Sequence, residues 1–267
     1  MSQYYKSYKH NVHFVQKIGE YMKKGFTLAE VLITLGIIGV VAAMTLPTLI
    51  QNHQKRSLEV ATQKFYSTMS QAVKKYMADE GVDDLRNTPL ASDNYEDYES
   101  PEAIASIRNF VTKYLKVVEE CDHEANNCFA PTYKNLEGSA LYNDFTTGAN
   151  WSGRRDYVLA DGAVIRIDYL GDSSYPGPIN IFVDVNGKKG PNRVGYDLWN
   201  MDIFYDGVIE ESGVGPECRG RIDSEYDGDS YICIEHTAHE KRETWFENNC
   251  KGGAYGGCFG HFLENNF

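Results

Sequence analysis

A carboxylate, Glu30, stands at the entrance to a stretch from Val31 to Ile50 in which no residue is charged. A carboxylate kept ionised in hydrocarbon costs roughly 2.5–3.5 kcal/mol or more near the bilayer centre, and less near its edge. Glu30 therefore needs either a positive partner or an escape of its side chain to the headgroups. Hard-oxygen chemistry is concentrated elsewhere, in Asp184-Val-Asn186-Gly187-Lys-Lys-Gly190-Pro191-Asn192-Arg-Val-Gly195-Tyr-Asp197. Alternating Asp and Asn around a tight Gly turn place oxygens on one side of a loop, as calcium requires. Asp184, Asn186 and Asp197 are the candidate ligands, with backbone carbonyls completing the shell. An Asx-rich turn holding no ion uses the same residues, and the terminal Glu spacing of an EF-hand is missing.

Cysteine chemistry is confined to the second half: Cys121, Cys128, Cys218, Cys233, Cys250 and Cys258. None falls in a C-x-x-C pair, which disfavours zinc and favours disulfides formed outside the cytoplasm. Short loops favour Cys121–Cys128, Cys218–Cys233 and Cys250–Cys258; the other reading is a set of buried, reduced thiols. His236 and His239 with Glu235 and Glu240 lack the H-E-x-x-H arrangement and read as a solvated polar loop. No G-x-S-x-G occurs, and no other enzymatic constellation is present, so the chain reads as a non-enzyme.

The elements that must position these residues follow from periodicity. The apolar run of about 20 residues is long enough to cross a bilayer as a helix. It exceeds the apolar core of a secretory signal and passes without a break into an amphipathic stretch. Past Pro47, Leu58, Ala61, Phe65, Met69, Val73 and Tyr76 recur at helical spacing, and Gly81 ends the pattern. Residues 81–100 read as a loop. Ser100-Pro101-Glu102 starts a helix whose apolar spacing continues through Val118 to Glu120. Tyr157 to Ile167 reads as a hairpin with Asp161-Gly162 as a two-residue turn. Pro178–Asp184 is a further strand, and a fourth around Met201 to Ile209 carries an Asp206-Gly207 turn. The resulting class is α+β, an antiparallel sheet packed on a long N-terminal helix.

Lys23-Lys24-Gly25-Phe26-Thr27-Leu28-Ala29-Glu30, followed by the apolar run, resembles the processing motif of type IV prepilins and type II secretion pseudopilins. The resemblance covers about 30 residues tightly and the remainder only in layout. It implies cleavage after Gly25 by a membrane prepilin peptidase, N-methylation of the new terminus Phe26, and a fibre built through the N-terminal helix. Glu30 matches the family's glutamate at the fifth mature position, and Pro47 matches a proline that commonly kinks or melts the helix in the fibre. A free amine on Phe26 of one subunit could answer Glu30 of its neighbour, each lowering the other's desolvation penalty. Some secretion pseudopilins carry calcium in a sheet-edge loop equivalent to residues 184–197.

The expected organisation is a leader over 1–25 and a pilin-like helix over 26–80, its transmembrane half at 28–50. An α+β head over 81–212 and a Cys/Gly-rich extension over 213–267 follow. Met22 offers an alternative start that would leave a four-residue leader. Expected partners are copies of the chain or other pilins, the prepilin peptidase/methyltransferase and the inner membrane, with an extracytoplasmic head and then an extracellular or periplasmic fibre. The alternative is a membrane-anchored binding or catalytic domain that never polymerises. A formal net charge of -12 repels phosphate backbones and disfavours general nucleic-acid binding. Lys188, Lys189 and Arg193 are the one basic patch, read as a solvated turn.

Overall fold

The computed structural model describes residues 25–90, 100–121, 128–141, 155–169, 179–216, 218–219 and 237–266. The chain divides after Gln54 into two compact units. Helix α1 is assigned over Leu28–Glu80, including Pro47. Among the described residues it is the one helix long and apolar enough to cross a membrane by length and composition. Up to Ile50 its large apolar side chains, from Leu28 through Leu32, Ile38 and Met44 to Leu49, are exposed. A helix apolar on every side is suited to lipid or to other helices, not to water.

In the second unit the same helix turns amphipathic. Leu58, Thr62, Phe65, Met69, Ala72, Val73, Tyr76 and Met77 are buried, a stripe three and four residues apart that marks one helical face. The helix ends on Gly81, whose backbone is left-handed at φ 69°. Gly81 N–H donates to Ala78 and Val82 N–H to Met77, the paired bonds of a Schellman ending. A 3-10 turn, Leu85–Asn87, follows within the stretch read as loop, capped by the Asp84 side chain.

Helix α2, Pro101–Tyr114, begins as its sequence specifies. Ser100 Oγ accepts from Ala103 N–H, and proline occupies the first turn, where it sacrifices no helical bond. Its end corrects the sequence reading: Leu115 is already extended, and Val117–Cys121 is strand β1 rather than a helical continuation. The spacing of Leu115 and Val118 is helical by coincidence. Val117 and Val118 are β-branched and suit a pleated surface, and pairing with β2 decides the outcome.

Six strands form one antiparallel sheet in sequence order: β1, β2 (Asp156–Leu159), β3 (Val164–Tyr169), β4 (Ile179–Asp184), β5 (Leu198–Ile203) and β6 (Ile209–Glu210). On edge strand β1 the register slips between Val117 and Glu119. Val118 is the extra residue, 65% exposed, and such a bulge disrupts an otherwise open edge.

The Asp161-Gly162 turn differs from the two-residue form expected. Leu159 N–H donates to Ala163 O, Gly162 N–H donates back to Leu159 O, and Gly162 is left-handed at φ 92°. This is a three-residue loop, a type I turn closed by a glycine in positive φ. The second turn repeats the device with Phe204, Val208 and Gly207. At Gly207 the positive φ favours glycine, and a Cβ there would also press on Met77 Sδ.

All six residues of β4 and all six of β5 are buried, so both faces of the central strands are covered. One face carries Ile179, Ile181, Val183, Trp199, Met201 and Ile203, which join Phe65, Met69 and Val73 of α1 in one apolar cluster. The C-terminal segment belongs to that cluster too. It forms helix α3 (Ala238–Trp245), a π-helical turn (Phe246–Cys250) and helix α4 (Phe259–Asn266). Phe259 and Phe262 pack on Trp199 at ring distances of 6.4 and 4.8 Å. Met69 has no exposure. Met69→Ala should cost the head about 2–5 kcal/mol of stability, read as a lower urea midpoint than that of a control Lys74→Ala on the exposed face.

Candidate functional site

The N-terminal motif lies in the first unit and the acidic loop in the second. Gly25, Phe26 and Thr27 are not helical, and Phe26 is 87% exposed. The Gly25–Phe26 peptide bond therefore sits in exposed, non-helical backbone just before α1 begins. Lys23, Lys24 and the rest of the leader, with the alternative start Met22, lie outside the described residues.

Glu30 has a local partner that the sequence reading did not anticipate. Its Oε2 accepts from Thr27 N–H at 2.8 Å and from Thr27 Oγ1 at 2.8 Å. Thr27 Oγ1 accepts in return from Glu30 N–H at 3.2 Å. These reciprocal bonds are a capping box: Thr27 is the cap, Glu30 the third helical residue, and two orphan amides of the first turn are satisfied. The T-x-x-E pattern of Thr27-Leu28-Ala29-Glu30 is the sequence signal for this box. Pro47 lies within helical residues and supplies no N–H, so the Ala43 carbonyl has no intrahelical donor at that turn.

In the head, β4 and β5 are joined by residues 185–197, with Asp184 and Asp197 at the two feet. Val185 N–H donates to Asp197 O, and neither carboxylate has any exposure. Asp184 Oδ2 accepts from Tyr133 Oη at 2.6 Å and its Oδ1 from Asn186 N–H at 3.1 Å. Asp197 accepts from Asn192 N–H at 2.7 Å and Arg193 N–H at 2.6 Å. Burial, and then the field of Asp197, push the Asp184 carboxyl up to about 7. Burial pushes Asp197 to about 6, against four backbone donors that favour its ionised form.

The fit to calcium is divided. All four carboxylate oxygens already accept a hydrogen bond, as an Asx-braced loop requires. Yet Asn186 Oδ1 and Asn192 Oδ1 are buried with no hydrogen-bond partner among the described residues, and two mutually repelling carboxylates lie in the same loop. An oxygen-seeking cation would satisfy both features.

The basic patch is broken up. Lys188 and Lys189 are exposed, whereas Arg193 reaches back to the carbonyls of Asn135 and Leu136 and lies over the Tyr196 ring. Cys121–Cys128 and Cys250–Cys258 are disulfide-bonded, with Cα separations of 5.9 and 5.0 Å. Cys218 is also disulfide-bonded; its expected partner Cys233 lies outside the described residues.

A second acidic centre has no sequence motif. Asp202 takes Asn180 Nδ2 at 2.6 Å, and Asn200 donates to Asn180 Oδ1. Glu211 accepts from Gly257 N–H at 3.1 Å and Gly260 N–H at 2.9 Å, fastening the start of α4 to the end of the sheet. Burial pushes Asp202 to about 7 and Glu211 to about 8. Nothing local in the sequence separates these acids from exposed ones, because their burial depends on what the C-terminal segment covers.

Residues 21–46 match the family model of the prokaryotic N-terminal methylation motif. Residues 48–164 match the model of a family of unknown function (DUF6613). No curated protein and no solved structure matches the chain. The matched motif supports a type IV pilin-like prepilin, and the long N-terminal helix followed by a six-stranded antiparallel sheet is a pilin-like α+β architecture.

Asp184, Asp197, Asp202 and Glu211 all have folded-state pKa values above their unfolded ones. The stabilisation they provide is complete below about pH 4 and is lost as pH rises through 6 to 8. Each extra proton held by the folded state makes stability fall by about 1.4 kcal/mol per pH unit. The head should therefore melt at a lower temperature at pH 8.5 than at pH 5.5, and Asp202→Asn should flatten that slope in a calorimetric pH series.

Proposed function

We propose that this chain is a structural subunit of a type IV pilus or type II secretion pseudopilus. It enters the inner membrane through α1, is cut between Gly25 and Phe26, and is N-methylated on Phe26. It then polymerises through the N-terminal helix with its head outside the cytoplasm. The observation that carries this reading is the methylation-motif match over residues 21–46, in register with an exposed Gly25–Phe26 bond and with Glu30. The disulfides of the head fit an oxidising compartment. The exposed apolar surface of residues 28–50 suits lipid first and neighbouring helices afterwards.

In the proposed assembly Glu30 exchanges partners. Before assembly its carboxylate is held by Thr27; in the fibre it turns to the Phe26 amine of a neighbour. That exchange replaces two hydrogen bonds by a charge pair in a low-dielectric core and fixes the axial register. Expression with and without a prepilin peptidase tests the processing step. The expected product begins at a methylated Phe26 by mass spectrometry, and an identical, unshortened chain under both conditions favours the membrane-anchored alternative. Glu30→Ala should still be processed but fail to enter sheared fibres; normal assembly of that variant would remove the role given to the carboxylate.

Calcium held by Asp184, Asn186 and Asp197 is the companion proposal, favoured by the orphan amide oxygens of Asn186 and Asn192. When bound, the ion would neutralise the two carboxylates at the feet of the loop and brace the β4–β5 connection. Calcium should raise the melting temperature at pH 8, where both acids ionise. It should do little at pH 5, and an unchanged melt with and without chelator at pH 8 would dismiss the ion.

A further inference from the structure

Helices α3 and α4 each offer one histidine and one glutamate on a single face. His239 and Glu243 are four residues apart on α3, and His261 and Glu264 are three apart on α4. Those spacings align side chains along a helix. The pairs meet crosswise: His239 Nδ1 lies 2.9 Å from Glu264 Oε1, and His261 Nδ1 lies 3.3 Å from Glu243 Oε1. Ligand atoms of His239, Glu243 and Glu264 lie within 4.8 Å of one another.

We propose that His239, Glu243, His261 and Glu264 form a binding site for a divalent transition-metal ion of the zinc type. Two imidazoles with two carboxylates are a borderline donor set, which favours zinc over calcium or magnesium. With neutral histidines the four ligands carry two negative charges, matching a divalent cation. Arg242 also touches Glu264, at 3.1 Å. Its guanidinium also makes two contacts to the buried carboxylate of Glu210, so Glu264 shares the arginine with a second carboxylate.

Part of the set is braced before any ion arrives. His261 is stacked on Phe246 with ring centres 4.1 Å apart and planes 11° from parallel. The Cys250–Cys258 disulfide closes the connection between α3 and α4. Glu240 is not available as a ligand in this arrangement, because it closes the capping box of α3 with Thr237. Zinc ligand atoms stand about 2.0–2.2 Å from the metal, so the set must draw inward. His239, the most exposed of the four ligands, can do so by rotation of its own side chain. A bound ion would clamp α4, and through it the aromatic packing on Trp199, to the rest of the head.

The test is zinc titration of the full, detergent-solubilised chain after chelator treatment and dialysis, followed by calorimetry. One saturable equivalent is expected, undisturbed by equal calcium or magnesium. The His239→Ala/His261→Ala double variant should bind at least about tenfold more weakly while keeping its circular dichroism spectrum. His53→Ala, remote in sequence and on α1, should bind as the unaltered chain does. The proposal is overturned if the unaltered chain shows no saturable zinc binding, if the folded double variant binds equally well, or if calcium displaces zinc at equal concentration.

Discussion

The second half of α1 carries Phe65, Met69, Val73, Tyr76 and Met77 on one face, and that face must be kept from water. At about 25 cal/mol per Å² of apolar surface, a stripe of this size is a dominant stabilising term for a head of this kind. The sheet supplies the opposing surface with Ile179, Ile181, Val183, Met201 and Ile203. Local choices elsewhere serve this contact. Gly207 lets a turn approach Met77 without overlap, and the Schellman ending at Gly81 releases the chain after the last buried turn.

The opposite face of the sheet is polar and yet covered. Arg166 and Asp156 form a buried two-contact ion pair at 2.7 and 3.0 Å, and Asn180, Asn200 and Asp202 continue the row across β4 and β5. Polar groups in such a place must bond to one another, since an unpaired one costs about 1–3 kcal/mol. Breaking a buried pair costs more than a good pair contributes. The arrangement therefore specifies one register more than it adds stability. Glu211 extends the logic to the C-terminus by tying two glycine amides at the start of α4 to the end of the sheet.

At the other end of the chain, Glu30 has one partner in the single chain and, in the proposed fibre, would take a second. The capping box makes it a helix-starting residue in the single chain. In the proposed fibre the same oxygens become the answer to a terminal amine. A side chain satisfied before assembly does not have to wait unpaired at the membrane surface, and the weak local bonds leave it free to change partners.

Much of this architecture was legible in the chain. The uncharged run from Val31 to Ile50, the stripe from Leu58 to Tyr76, the Ser100-Pro101 start and the strand ending at Asp184 are local patterns that the chain carries in neighbouring residues. The Gly25-Phe26…Glu30 register identified the class of protein, because its requirements are met by neighbours in sequence. Other features could be decided only by tertiary structure. Val117–Cys121 became a strand because β2 stood ready to pair with it. The Asp-Gly turns took a third residue to suit the twist and packing of their strands. His239 and Glu243 meet Glu264 and His261 through a fold that brings α3 beside α4, and Asp202 and Glu211 are buried only because the C-terminal segment covers them. Periodicity and capping act between residues three or four apart, and these the sequence determines by itself. Burial, pKa and ligand geometry depend on contacts between distant segments, which exist only once the sheet and its two coverings have come together.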